Sequence, residues 1–445
     1  MKLPFYKFIQ YLLLIISSIF LIYVVYKSQF VWEGKKTDYF KIYYIISISF
    51  FSISLILLLI NKIFTTYFVV IFSSILISLY SIEIYLLNYD PLKINIKSKI
   101  YFEKTGKKFD SRSKFEIYKD LKKNETSSTL AFFPNYFIKN SGYDLFPMSG
   151  ISLTNTIYCN ENGYYSNYDS DRYGFNNPDN VWDHDEVDYL ILGDSYGHGA
   201  CVNSPNDIGS QIRKISNKKV INLSYGGNGP LISYAALREY GPKKIKNILF
   251  FFYEGNDHQD LNKEIENKIL LKYLNDDNFS QDLKDKQASI DSQLNYILNN
   301  IENNVIFKVE KKDIFVNFVK LVNFRIKLNS YLPSKYQNAP YDINNFSNLI
   351  LGKLVKYAQN KKANLFLVYL PSFDRFSSKK YDKNVYEKFK FELKKNELNL
   401  IDISELVFDK SSDPLNFFPF RMSRHYNALG YQKVSEEIMK FISNH

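Results

Sequence analysis

The stretch VDYLILGDSYGHG, residues 187–199, decides how the chain is expected to fold. Its first half is an apolar run typical of a buried strand, and the run stops at Gly193. Ser195 follows on a turn that contains two more glycines. Small residues end many α/β strands because the chain must turn there. A nucleophilic serine would occupy the same place, so the rest of the chain must supply a base and oxyanion donors.

The pattern after residue 187 alternates apolar runs with amphipathic segments. This alternation is typical of an α/β domain with an open parallel sheet. The last helix is expected to begin after Asn427, a good N-cap residue. The predicted strands are 187–193, 219–223, 246–253, 364–370 and 398–403, and the predicted helices include 230–240, 347–360 and 383–396.

The N-terminal part contains three long apolar runs, at 8–26, 42–60 and 66–88. Each is about as long as a helix that spans a bilayer, although Glu83 weakens the third. The first run is too long for the apolar core of a signal peptide and lacks a small-residue cleavage site, so we interpret it as an anchor. We therefore expect three transmembrane helices.

The domain organisation follows from these two patterns. Residues 1–90 are expected to form the membrane anchor, and 91–186 a lead-in region of mixed structure. Residues 187–445 are expected to form the α/β domain, with a charged, mostly helical insertion at about 258–346.

The composition excludes two classes of protein. The chain is 46% hydrophobic and 17% aromatic, which is too apolar for a disordered chain. The formal charge of +11 comes mostly from lysines spread through the sequence. Because no nucleic-acid-binding motif accompanies that charge, we interpret it as a solvated surface and expect no nucleic-acid partner.

Four polar or glycine-rich segments follow predicted strands or precede the last helix. Ser195 follows the first strand, Gly227 lies in NLSYGGNGP after the second, and Asn256 lies in EGND after the third. His425 precedes the last helix in RHYNALGY. An imidazole activates a serine hydroxyl, and backbone or amide N–H groups stabilise the oxyanion that forms after attack. These residues therefore have the chemistry of a serine hydrolase site.

These segments resemble the four sequence blocks of the SGNH (GDSL-type) hydrolases: GDS at 193–195, a glycine after the second strand, GND at 255–257 and a histidine before the last helix. The resemblance covers about 187–257 and 347–445. It implies a three-layer, flavodoxin-like α/β fold, with Ser195 as nucleophile and His425 as general base. It also implies an oxyanion hole formed by the N–H groups of Ser195 and Gly227 and the side-chain amide of Asn256.

One position departs from the family pattern. The family usually has an aspartate three residues before the histidine, where this chain has Met422. Asp409 and Asp413 are the nearest upstream acids, and Asp413 is the better candidate for a third catalytic acid because Pro414 would hold its loop extended. No spacing rule requires Asp413, so the sequence favours a Ser–His dyad.

The remaining polar residues have weaker claims. His198 and His258 are expected to be solvated residues at the rim of the pocket, and Asp194 and Asp257 to be structural hydrogen-bonding residues. The five histidines lack metal-ligand spacing, so we expect no metal and no cofactor. Cys159 and Cys201 are either two buried thiols or a disulfide that ties the lead-in region to the loop after Ser195.

The sequence thus predicts a membrane-anchored serine esterase. Known membrane-bound members of the family lead us to expect O-acyl groups on envelope carbohydrate as substrate, besides small esters. The alternatives are an O-acyltransferase with the same site, or an inactive domain that binds glycan or a partner in a membrane complex. Lysine counts alone would place the C-terminal domain in the cytoplasm. Because the expected substrate lies in the envelope, we predict an inner-membrane protein with a periplasmic or extracellular catalytic domain.

Overall fold

The chain forms two compact units in a computed structural model that describes residues 4–34, 37–89, 91–124, 127–140, 142–308, 312–331, 346–378, 381, 383–395 and 398–444. The first unit contains residues from 1–89 and 311–332. The second contains residues from 90–310 and 333–445. The predicted insertion is therefore divided between the units, whereas the lead-in region and the α/β domain share one unit.

The regular elements alternate through the second unit and are helical in the first. The strands are β1 (Ser128–Leu130), β2 (Asn155–Ile157), β3 (Asn167–Asp169), β4 (Glu186–Leu192), β5 (Val220–Asn222), β6 (Lys244–Tyr253), β7 (Asn364–Leu370) and β8 (Asn399–Asp402). The α-helices are α1 (Phe5–Val25), α2 (Thr37–Leu59), α3 (Lys62–Tyr89), α4 (Pro91–Thr105), α5 (Lys114–Asn124), α6 (Tyr136–Lys139), α7 (Ser195–His198), α8 (Ile208–Ser216), α9 (Pro230–Tyr240), α10 (Asp257–Glu264), α11 (Lys268–Asn275), α12 (Gln287–Lys308), α13 (Lys312–Val319), α14 (Val322–Tyr331), α15 (Gly352–Lys361), α16 (Phe373–Ser377), α17 (Lys383–Lys395) and α18 (Ala428–Ser443).

The first unit contains the three predicted apolar helices. Phe5–Val31, Tyr39–Leu57 and Lys62–Leu86 are each long and apolar enough to cross a membrane, which confirms that prediction. Polar side chains inside such helices need internal partners because lipid offers none. Gln10 finds such a partner in Thr65, because its Nε2 donates a hydrogen bond to the Thr65 Oγ1 at 2.7 Å.

Glu83 in α3 is fully buried and has partners from the predicted insertion. The backbone N–H groups of Asn323 and Phe324 donate to its carboxylate at 3.0 and 2.7 Å. These donors belong to the first turn of α14, whose N–H groups have no partners within the helix. A carboxylate in the third apolar helix therefore caps a helix of the insertion, and α13 and α14 belong to the first unit rather than to the α/β domain.

The second unit is built on a five-stranded sheet with the order β5-β4-β6-β7-β8, in which every neighbouring pair is parallel. This is the flavodoxin-like order, so the predicted fold class is confirmed. The predicted strands agree with the structure to within two residues at each end. Apolar periodicity located them because parallel strands are buried on both faces.

The sheet separates two apolar cores. Along β6, Leu249 and Phe251 pack into one core, and Phe250 and Phe252 pack into the other. Successive strand residues point to opposite faces, so this alternation shows that helices cover both sides of the sheet. Residues of α8 and α18 contribute to the first core, and residues of α9, α15 and α17 contribute to the second. The result is the predicted three-layer arrangement.

The lead-in region forms a smaller sheet. β1 pairs with β2 in parallel, and β3 pairs with β2 antiparallel. Ile117 and Tyr118 of α5 pack against Ile157 of β2 in a small apolar cluster. The segment that follows β2 passes beside Ser195, as described below.

We predict that Leu190→Ala destabilises the second unit by about 2–5 kcal/mol, because it leaves a cavity at a fully buried position. Leu190 pairs with Ile221 on one side and Ile248 on the other, at the centre of the sheet. Urea unfolding of the full chain in detergent, followed by fluorescence of Trp182, measures the effect. Ile215→Ala is the matched control, because Ile215 is 42% exposed and its truncation is expected to change the unfolding free energy by no more than about 0.5 kcal/mol.

Candidate active site

Ser195 lies where the sequence predicts it, immediately beyond the carboxyl end of β4. It is the first residue of the short helix α7, and the Asp194 carboxylate caps that helix by accepting a hydrogen bond from the Tyr196 N–H at 2.8 Å. β4 lies between β5 and β6, so Ser195 faces the loops that follow both neighbours. This is the rim at which open α/β sheets bind ligands.

His425 reaches Ser195 from the loop before α18. Its Nε2 lies 2.8 Å from the Ser195 Oγ, a hydrogen-bonding distance. Two tyrosines hold this loop: the Tyr196 hydroxyl donates to the carbonyl of Arg424 at 3.1 Å, and the Tyr426 hydroxyl donates to the carbonyl of Pro371 at 2.6 Å. Hydrogen bonds of the two residues on either side of His425, Arg424 and Tyr426, therefore hold the backbone of His425 in place.

Glu161 occupies the other side of the imidazole. Its Oε2 accepts a hydrogen bond from the His425 backbone N–H at 2.8 Å and lies 3.1 Å from the ring Nδ1. A carboxylate at Nδ1 favours the tautomer in which Nε2 accepts the serine proton, and it stabilises the imidazolium that then forms. Burial disfavours the ionised carboxylate, but the hydrogen bonds and charge of His425, together with the charge of Arg424, outweigh burial and lower the pKa of Glu161.

Cys159 and Cys201 are joined in a disulfide, the second of the two predicted alternatives. Cys159 is two residues before Glu161, and Cys201 is six residues after Ser195. Next to the disulfide, the Asn162 side-chain amide donates to the carbonyl of Cys201 at 2.9 Å.

Glu161, Cys201 and His425 also form a cluster in which the atoms able to bind a metal all lie within 4.8 Å of one another. A disulfide sulfur is not the thiolate that binds metals, so this cluster does not offer three metal ligands.

The predicted oxyanion donors follow the two strands beside β4. Gly227 has φ +80°, and a Cβ there would lie 2.9 Å from the Asn135 side chain, so both conformation and space favour glycine. Asn256 follows β6 and precedes α10. Its side-chain amide donates one hydrogen bond to the Asp260 carboxylate, which also pairs with the Lys263 ammonium at 2.6 Å. The amide has a second N–H, which the predicted role as an oxyanion donor requires.

The third acid differs from the sequence prediction. Asp413 does not contact His425; its carboxylate forms an ion pair with the Arg421 guanidinium. The dyad preference is corrected as well, since Glu161 occupies the position that a triad acid requires. Sequence spacing missed Glu161 because it belongs to the lead-in region. The one available signal was the cysteine pair: a bond between Cys159 and Cys201 brings Glu161 towards the nucleophile loop.

The two motif histidines are buried rather than solvated. His198 is 2% exposed and stacks on the Tyr158 ring with centroids 4.7 Å apart, and His258 is 5% exposed. Burial lowers the pKa of each to about 4, so both are neutral at pH 7. Asp257 is structural as predicted, because its carboxylate accepts the Tyr253 N–H at 2.8 Å.

A serine, a histidine and a glutamate thus lie in hydrogen-bonding sequence at the carboxyl edge of a parallel α/β sheet. This arrangement has the geometry of a serine hydrolase site.

Solved structures similar to this chain are described as lipolytic proteins or as a lipase. One is described as a putative lipolytic protein of the G-D-S-L family from Desulfitobacterium hafniense, with 12% identity over 57% of this chain and 99% of that chain and a TM-score of 0.29. A member of the lipolytic G-D-S-L family from Veillonella parvula has 12% identity over 58% and 99%, with a TM-score of 0.31. A lipase from a goat rumen metagenome has 16% identity over 57% and 97%, with a TM-score of 0.30.

Sequence comparisons add no relative: neither the protein-family profiles nor the curated proteins give a match.

We predict that Glu161→Gln lowers the rate at which a fluorophosphonate labels Ser195. The amide removes the negative charge that stabilises the imidazolium, and the matching change in a serine protease lowers turnover by about ten-thousandfold. Labelling of the detergent-solubilised full chain, resolved in time by gel fluorescence, gives the rate. Asp413→Asn is the matched control and should label like wild type. Equal labelling by Glu161→Gln and wild type would exclude the glutamate from the mechanism.

Proposed function

We propose that the chain is a membrane-anchored serine esterase that removes O-acyl groups from envelope carbohydrate through an acyl-enzyme. The single observation that carries the proposal is the hydrogen-bonded line from Ser195 Oγ through His425 to Glu161, with distances of 2.8 and 3.1 Å. The sequence blocks resemble those of the SGNH family, and the carbohydrate substrate is the class that the family's membrane-bound members suggest.

The proposed mechanism has two halves. In the first, His425 Nε2 takes the proton of Ser195 while Oγ attacks the ester carbonyl carbon, and the carbonyl oxygen becomes an oxyanion. The N–H groups of Ser195 and Gly227 and the Asn256 amide stabilise that oxyanion. The tetrahedral intermediate then collapses, the alcohol leaves with the proton from His425, and the acyl group remains on Ser195.

Water completes the second half. His425 takes a proton from water as the water oxygen attacks the acyl-enzyme, and the acid departs when Ser195 recovers its proton. Glu161 stabilises the imidazolium in both halves. An O-acyltransferase would use the same steps with a second alcohol in place of water. The inactive-domain alternative depended on the missing acid at Met422, and a carboxylate beside His425 removes that reason.

We predict that Ser195→Ala abolishes turnover of 4-nitrophenyl acetate and release of acetate from O-acetylated polysaccharide by the full chain. Asn256→Ala should lower kcat by on the order of a hundredfold or more, which is the contribution of one oxyanion donor in other enzymes. Spectrophotometry and acetate quantification provide the two readouts, and Asp413→Asn serves as an active control. Undiminished turnover by Ser195→Ala would refute the nucleophile. Turnover of the small ester without acetate release would refute the carbohydrate substrate alone.

We also propose that the second unit, which contains the candidate active site and is called the catalytic unit below, lies outside the cytoplasm. It would face the periplasm of a cell with an inner membrane, or the cell exterior. Disulfides persist in these oxidising compartments and are rare in the cytosol, so the Cys159–Cys201 bond supports this orientation. Large domains also translocate largely independently of their lysine count.

We predict that Cys159 and Cys201 are recovered as one disulfide-linked peptide when thiols are blocked before lysis. Mass spectrometry of non-reduced digests detects the linked peptide, and externally added protease should cleave the catalytic unit in intact spheroplasts. A cytoplasmic reporter protein provides the control for membrane integrity. Two alkylated cysteines together with protease protection would place the unit in the cytoplasm.

A further inference from the structure

A cavity of about 480 Å³ borders the proposed oxyanion hole. Gly227 is part of its wall, and so is Asp260, whose carboxylate binds the Asn256 amide. Of the two predicted oxyanion donors, Gly227 therefore lines the cavity, and Asn256 is hydrogen-bonded to a residue that lines it. Other lining residues come from the lead-in region and include the aromatic residues Phe133 and Tyr136.

Lys114 also lines this cavity, at the first position of α5. Ser113, just before the helix, and Glu116, in its first turn, form a capping box. The Ser113 N–H donates to the Glu116 carboxylate at 2.6 Å, and the Glu116 N–H donates to the Ser113 hydroxyl at 3.2 Å. This reciprocal pair fixes the start of the helix and with it the backbone of Lys114.

The position is unfavourable for a lysine. The positive end of the helix dipole repels a cation in the first turn. Burial also disfavours the charged form and lowers the pKa of Lys114 to about 8. Among the described residues no carboxylate or carbonyl pairs with its ammonium, which lies 5.7 Å from the centre of the Phe133 ring. The helix therefore disfavours a cation here, and the Phe133 ring is a weaker partner for the ammonium than a carboxylate would be.

The charges of the cavity wall do not cancel. Lys263 also faces the cavity, but Asp260 binds its ammonium at 2.6 Å. Two ammonium groups and one carboxylate leave one net positive charge among the described lining residues, and Lys114 carries it. One unpaired ammonium beside apolar walls matches the single charge of a carboxylate better than the two charges of a phosphate monoester.

We propose that this cavity binds a carboxylate group of the ester substrate, with Lys114 as the specificity-determining residue. The proposal rests on the esterase function above and narrows the substrate class to acyl esters that carry a carboxylate near the ester, either on the acyl group or on the sugar. Lys114 takes no part in proton transfer; it holds the charged end of the substrate while the ester lies at Ser195.

The test compares two esters of nearly equal size, the 4-nitrophenyl monoester of succinic acid and its methyl ester, which lacks the charge. With the full chain in detergent, the ratio of kcat/KM for the charged ester to that for the neutral ester should be on the order of ten, since a hydrogen bond to a charged group contributes about that factor. Lys114→Gln should lower the ratio to about one, and Lys114→Arg should retain most of it. Lys119→Gln is the matched control, because Lys119 is an exposed lysine of the same helix.

The pH dependence of the ratio gives a readout that needs no variant. The ammonium of Lys114 is present below its pKa of about 8, so the ratio should fall as the pH rises through that value. Tyr136, Asp260 and Lys263 also face the cavity, and Glu116 and Tyr118 lie on the same helix. If the kcat/KM ratio of Lys114→Gln does not change with pH, the pH dependence of the wild-type ratio is assigned to Lys114. His425 acts on both esters and cancels in the ratio, and Ser195→Ala gives the background hydrolysis.

The outcomes separate this inference from the esterase proposal. Turnover of both esters with equal kcat/KM would overturn the carboxylate site and leave the esterase standing. If neither ester reacts, the esterase proposal fails, and calorimetric binding of the 4-nitroanilide of succinic acid decides the site. Binding to wild type that Lys114→Gln weakens about tenfold would support the site, and equal binding would overturn it.

Discussion

One carboxylate oxygen, Oε2 of Glu161, determines the orientation of the histidine on which the proposed chemistry depends. It accepts the His425 backbone N–H at 2.8 Å and lies 3.1 Å from the ring Nδ1, so it constrains the loop and the side chain together. The two side chains are only 16% and 24% exposed, which strengthens their electrostatic interaction relative to that in water. With the ring fixed in this way, Nε2 faces the Ser195 hydroxyl.

The segment that carries Glu161 lies outside the five-stranded sheet, in a turn-rich sequence whose ordering costs conformational entropy. Contacts with other segments hold it in place. The disulfide joins Cys159 to the loop after Ser195, the Asn162 amide binds the carbonyl of Cys201, and the Asn160 amide binds the carbonyl of Asp110 at 2.7 Å. A disulfide offsets ordering cost by restricting the unfolded chain. The lead-in region is therefore part of the candidate active site rather than a spacer between the apolar helices and the five-stranded sheet.

The first unit also contains a buried carboxylate, Glu83, whose hydrogen-bond donors are distant in sequence. Glu83 lies in an apolar helix, where an ionised carboxylate without partners would be costly. The first turn of α14 supplies N–H donors, and the Asn323 side chain adds a third hydrogen bond at 2.9 Å. The acid that weakens the third apolar run in the sequence is thus the residue that binds part of the distant insertion within this unit.

The sequence could predict those features of the structure that depend on residues close together in the chain. Strands and amphipathic helices are encoded by the spacing of apolar residues over a few positions, and the four motif segments lie at strand ends, so the sheet and the Ser195–His425 pair could be predicted. Glu161 is 264 residues from His425, and Glu83 is 240 residues from Asn323. The family's fixed spacing leads to Met422, and the nearby candidate Asp413 pairs with Arg421 instead. A histidine, however, requires only that a carboxylate lie near Nδ1 in space, and a disulfide between two distant segments can provide that from anywhere in the chain. In this chain the pairing of Cys159 with Cys201 is therefore the sequence signal that leads to Glu161.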